Sequence, residues 1–243
     1  MTDRPIIFSA PMVRALLEGS KTQERRILKP QPFIDAMGNA VWGKWNFGQN
    51  ARNEPHIDHI KDCNLPRHRF PFRVGDRLWV RETWQVAQKF TDVVEVRYRA
   101  SERASHTEFV EQIPIAIALN ASVTFPKWRS PIHMPRWASR LTLTVTDVRV
   151  QRLQDMEGQH PSESDAIAEG VNKIHHGDGD YYYSAFRNEP HPKNWCDPTD
   201  AFRELWNGLH GPDAWDANPW VAALTFTVER RNIDAVDSDG DVR

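Results

Sequence analysis

Apolar side chains recur at two spacings along the chain, and the two periods separate helices from strands. RPIIFS is a short apolar strand, and after it Met12, Val13, Leu16 and Leu17 share one helical face that Gly19 ends. GDRLWVRETW opens on a turn dipeptide and continues as a strand, alternating Leu78 and Val80 with Trp79 and Arg81. VVEVRYRA sets Val94, Val96 and Tyr98 against Glu95, Arg97 and Arg99. In RLTLTVTDVRVQRL, Leu141, Leu143 and Val145 share a face, the phase slips by one near Asp147, and Val148 and Val150 resume it. Such a slip predicts a β-bulge, a device that curves a sheet toward closure. SESDAIAEGV reads as a short helix capped at Ser162 or Ser164 and ended by Gly170. DPTDAFRELWNGLHG reads as a further capped helix, and WVAALTFTVERR as a strand with Leu224, Phe226 and Val228 facing one way.

About five strands and three short helices on this reading predict an α+β fold, a small curved or barrel-like domain with decorations. The decorations are two turn-rich insertions, near residues 30–74 and 172–198, within one domain over 1–232. The last stretch, 233–243, is rich in Asp and has no aromatic residue, so an acidic disordered tail is expected there.

Composition narrows the setting. A 40% hydrophobic and 26% charged chain is in the range of soluble globular proteins, and no run approaches the roughly 18 apolar residues of a membrane span. The N-terminal MTDRPIIFSAP lacks the parts of a secretory signal. Cys63 and Cys196 are far apart in unrelated contexts, so reduced thiols, a cytoplasmic location and no membrane partner are the expectation. The net charge of −2 excludes a strongly basic nucleic-acid binder but leaves room for a local basic face. Arginine far outnumbers lysine, which suits bidentate contacts, and several of the ten tryptophans stand beside arginines.

Chemistry concentrates in GSKTQERR, residues 19–26, directly after the first helix. In an extended strand Lys21, Gln23 and Arg25 share one face and Thr22, Glu24 and Arg26 the other. The plainer alternative is a solvated turn that neutralises its own charge. Arg81 and Trp84 in GDRLWVRETW, with His133, Arg136 and Trp137 in SPIHMPRWASR, offer cationic forks beside flat rings, the combination that stacks a base and grips a phosphate. Core or rim packing of the tryptophans is the alternative. His56, His59, Cys63 and His68 have spacings a zinc ion can use, but no tight Cys pair supports them, and no metal or cofactor is expected. His175, His176, His191 and Cys196 are weaker still. A P-loop, a dinucleotide fingerprint, a nucleophile elbow and a zinc-protease helix are all absent.

LLEGSKTQERR resembles the Gly-x-Lys-x-x-x-x-Arg signature of the ASCH family of PUA-like β-barrels, through Gly19, Lys21 and Arg26. The order of segments from Ile6 to Val228 is also similar to long, phage- or prophage-type members that carry GDRLWVRETW, IHMPRWASR and WDANPWV. The resemblance implies a curved β-barrel with short helices and large loop insertions. Small members resemble amidohydrolases that deacetylate N(4)-acetylcytidine, using a lysine, a threonine and a glutamate. These carry over to Lys21 and to Glu169 in DAIAEG, while the threonine position holds Glu24 and Thr22 offers the nearest hydroxyl.

Chemically, a buried Lys21 beside Arg25 or Arg26 is expected to have a lowered pKa and to act as base or nucleophile. Glu169 would move a proton, Glu24 would activate or orient water, and Arg26, Arg81 and Arg136 would anchor the ligand. The function expected is recognition of a nucleobase or nucleoside, in a cleft between the signature and the Arg/Trp segments, with acyl-amide hydrolysis as its enzymatic form. The alternatives are a non-catalytic RNA- or DNA-binding module and a phage assembly protein.

Overall fold

Period-two hydrophobicity produces most of the structure, and the elements that it predicts are joined by shorter strands in the turn-rich segments. The computed structural model describes residues 2–37, 40–42, 45–46, 72–102, 110–156, 164–177 and 179–235. Among them the protein is α+β, mostly sheet with few short helices. The elements are β1 (Asp3–Ile7), α1 (Ala10–Glu18), β2 (Gln23–Ile27), β3 (Phe33–Ile34), β4 (Ala40–Trp42), β5 (Trp45–Asn46), β6 (Arg77–Arg81), β7 (Trp84–Lys89), β8 (Val93–Tyr98) and β9 (Val110–Pro114). There follow β10 (Thr142–Arg152), α2 (Asp165–Ala168), β11 (Asn172–His175), β12 (Tyr181–Ser184), α3 (Pro198–His210) and β13 (Trp220–Glu229). No sheet among the described residues closes into a barrel. His56, His59, Cys63 and His68 lie outside the described residues, as do most of the first insertion and the tail beyond 235.

The residues gather into two compact units. Unit 1 comprises 1–19, 75–144 and 227–243. In it β1 runs parallel to β6, from Asp3 opposite Arg77 to Ile7 opposite Arg81, and Thr142–Thr144 of β10 pairs antiparallel on the other side of β6. β7, β8 and β9 form an antiparallel meander whose inward faces carry Trp84, Val86, Val94, Val96 and Tyr98 into a core with Met134 and Ala138. Arg140 is buried here. It grips both oxygens of the Glu82 carboxylate at 2.9 and 3.1 Å, donates to the Ser101 hydroxyl at 3.0 Å and lies 4.1 Å from the Tyr98 ring centre. Burial pushes Glu82 up and the Arg140 charge only partly offsets this, so its pKa stands above the usual carboxylate value.

Unit 2 comprises 20–74 and 145–226. β2 pairs antiparallel with β13, and β3, β4 and β5 form a small sheet of their own. The 172–198 segment, expected as a loop, contains the β11–β12 hairpin, because the run Tyr181–Tyr183 has strand-forming side chains and Gly177 and Gly179 turn the chain with positive φ. Ala201, Phe202 and Trp206 of α3 pack with Leu153, Val171, Tyr183 and Trp215 into the unit's core. Along β10 burial passes from Leu143 and Val145 to Val148 and Val150, the one-residue slip the sequence predicts.

Candidate functional site

The GSKTQERR segment enters unit 2 from the end of α1. Gly19 closes that helix in the left-handed conformation, φ 78°, where its amide reaches the carbonyls of Ala15 and Leu16. The chain then extends. The Thr22 amide donates to Ala168 at 2.8 Å, its carbonyl accepts from Phe226 at 3.0 Å, and Lys21 makes an isolated antiparallel bridge with Glu169. These backbone bonds set the start of β2 against the C-terminal end of α2.

The Lys21 side chain is fully buried in this corner. Its Nζ lies 2.8 Å from Glu169 Oε2, 2.9 Å from the Glu169 carbonyl and 2.9 Å from Glu24 Oε2. An ammonium has three N–H bonds to give, and three oxygens surround it. Glu169 Oε1 accepts from Arg25 Nη1 at 2.8 Å, Arg25 Nη2 reaches Asp165 at 2.5 Å, and Arg149 meets the same carboxylate at 3.0 Å. On the other side Glu24 Oε1 lies 2.9 Å from Arg26 Nε. The charges alternate in sign from Arg26 through Glu24, Lys21, Glu169, Arg25 and Asp165 to Arg149.

Electrostatics corrects one expectation. Burial pulls Lys21 downward, but the Glu169 and Glu24 carboxylates outweigh it, so its pKa lies above the ordinary lysine value. Glu169 behaves in mirror image: burial pushes it up, Lys21 and Arg25 pull it down further, and the net pKa is lowered. Lys21 is therefore a held ammonium and not the low-pKa base expected from its arginine neighbours. The arginines do not set its pKa because Glu24 and Glu169 stand between them and the amine.

Solvent reaches this network at both ends, and the Arg149 side chain at the far end is 22% exposed. The Arg26 side chain is 38% exposed and that of Glu24 8%, whereas Lys21, Arg25 and Glu169 are sealed. Thr22 is exposed. His210, at the C-terminal end of α3, was not among the expected residues. Its ring centre lies 4.2 Å from that of Trp206, and burial first, then the Arg26 charge, lowers its pKa against a smaller opposing pull from Glu24. A histidine with that shift is neutral at neutral pH and able to accept a proton.

The remaining candidates belong to unit 1. Trp84 is 1% exposed and packs edge-to-face on Trp137 with ring centres 5.8 Å apart. It is core, which removes it as a stacking surface, while Trp137 is half-buried. Arg81 lies 4.4 Å from the Trp79 ring centre and donates to the Ile132 carbonyl at 3.3 Å. Arg136 is committed to Asp234, at 2.6 and 2.7 Å, and to Asp3 at 2.5 Å. These contacts hold the chain in order as far as Asp234, past the start of the expected tail. His133 is exposed on a short 3₁₀ turn. Among the described residues no group of three or more His, Cys, Asp and Glu is placed to hold a metal, and no helix is long and apolar enough to cross a membrane.

Comparisons with protein-family models, curated proteins and solved structures return no match for this chain.

Proposed function

We propose that the protein is a PUA-like protein of the ASCH kind that recognises a nucleobase or nucleoside and hydrolyses an acyl amide on it. The observation that carries this reading is the 2.8 Å contact between Lys21 and Glu169 across 148 residues of sequence, with Glu24 on the same ammonium. Those are the positions to which the family resemblance assigns chemistry. Burial redistributes the roles. Lys21 and Glu169 are positioning residues that hold Glu24, and Glu24 and Arg26 are the members that a substrate reaches.

In the reaction a water oxygen bonds to the acyl carbon while Glu24 takes one of its protons. Arg26 faces the oxyanion that develops. The C–N bond then breaks, Glu24 returns the proton to the departing exocyclic nitrogen, and a carboxylic acid and the free amino base are released. Neutral His210 can take a proton from the resulting acid. Incubating the protein with acylated nucleosides, N(4)-acetylcytidine among them, and measuring release of the parent nucleoside tests the reading. No release across the panel rejects it.

A second reading, a non-catalytic RNA- or DNA-binding module, draws on unit 1. There Arg97 lies 5.4 Å from the centre of the exposed Phe125 ring, and Arg99 5.4 Å from that of Trp128. Such a module loses affinity steeply with salt, whereas nucleoside hydrolysis barely responds to it.

A further inference from the structure

A cavity of about 800 Å³ opens within unit 1, the size range of sites for small organic ligands. Leu17, Ile113 and Trp137 give it apolar and aromatic walls, and Arg14, Arg140 and Arg230 give it guanidinium groups. Their commitments differ. Arg140 is held by the Glu82 carboxylate and Ser101. Arg14 instead donates to the Ala100 carbonyl at 3.3 Å and Arg230 to the Leu17 carbonyl, and among the described residues neither has a carboxylate partner. A guanidinium carries five N–H donors in a planar fork, so each retains capacity for a second acceptor. Of the acids at the cavity, Asp234 is held by Arg136, and Glu111 lies 3.5 Å from the Tyr98 hydroxyl and 3.9 Å from Arg140. Of these acids Glu18 alone is unpaired among the described residues, so two guanidiniums without a carboxylate partner share the cavity with one unpaired carboxylate.

We propose that this cavity binds a small organic oxyanion, a phosphate monoester or carboxylate on an aromatic body. The body lies against Trp137, Ile113 and Leu17, and Arg14 and Arg230 grip the oxyanion. The site shares no residue with the Lys21 network and goes beyond the hydrolase reading.

Calorimetric titration of the full chain with AMP, adenosine and 1-naphthoate tests the proposal. Saturable binding of AMP identifies a phosphate monoester as the ligand class, and saturable binding of 1-naphthoate a carboxylate. Adenosine, which lacks the oxyanion, should bind at least about tenfold more weakly than AMP, equivalent to ~1.4 kcal/mol. Arg14→Gln and Arg230→Gln should each weaken binding of the oxyanion about tenfold or more. Their hydrolysis of acylated nucleosides should match the wild type, and because the titration needs no turnover it is decided even if hydrolysis is never seen. The proposal is overturned if neither anion binds, if adenosine matches AMP without naphthoate binding, or if both variants, folded by circular dichroism, bind as the wild type does.

Discussion

The Lys21 ammonium meets Glu169 twice, at 2.8 Å through the carboxylate and at 2.9 Å through the main-chain carbonyl. One contact is ionic and the other fixes geometry. Together with Glu24 they make Lys21 the hub of a buried network, and removal of the lysine leaves Glu169 and Glu24 each with one cation fewer, Arg25 and Arg26 remaining. Breaking a buried pair from one side costs about 3–5 kcal/mol. Lys21→Ala should lose stability of that order in urea unfolding. Lys21→Met combined with Glu169→Met should cost less than the two single changes summed.

The same pair sets a pH window. Glu169 has a folded pKa below its ordinary 4.5, so its contribution is present above that pH and is lost as pH falls through the folded value. Lys21 has a folded pKa above 10.5, so its contribution is complete below that pH and is lost as pH rises through the folded value. Between these limits the pair should add no slope to a plot of unfolding midpoint against pH. Glu169→Gln should reduce the loss on the acid side, and an undiminished acid limb would contradict the assignment.

His210 runs the other way. Its folded pKa is lowered, so the native state resists its protonation and stability falls as pH drops below about 6.5. The imidazole resonances should titrate with a midpoint below 6.5, the ordinary value. Arg26→Gln should move that midpoint upward, though burial against Trp206 should keep it from full recovery.

In unit 1, Arg140→Met strands Glu82 in the core. Unfolding free energy at pH 7 should drop by about 3–5 kcal/mol. Because the folded Glu82 already has a raised pKa, part of that loss should return as pH falls and the carboxylate protonates.

Elements with a clean period were legible in the sequence. β1, α1, β6, β8, β10, α3 and β13 fall on the stretches that alternation and helical spacing mark out, with Ser164 and Asp197 as the N-caps of α2 and α3. β9 and the β11–β12 hairpin were not, because VEQIP and YYYS are short and sit among turn formers. Lys21 stands out in the charge cluster of GSKTQERR, Glu169 only through the family resemblance, and their contact is a tertiary fact. Arg25 stood in the same segment, and Asp165, four residues before Glu169, carries a helical-spacing signal that passed unused. Arg149 and His210 reach the network only through sheet pairing and the packing of α3, which no local pattern announces. Trp84 read as a stacking surface because an arginine-flanked tryptophan has the same sequence whether its ring is exposed or packed.

The proposed hydrolysis rests on Glu24, which lies between a sealed lysine and a half-exposed arginine. The decisive measurement is the rate of nucleoside release from N(4)-acetylcytidine and related acylated nucleosides by the wild type and by Glu24→Gln. The proposed role of Glu24 requires release by the wild type and a loss of about 10²–10⁴-fold in kcat for a folded Glu24→Gln. Absence of release by the wild type, or equal rates for the two proteins, contradicts it.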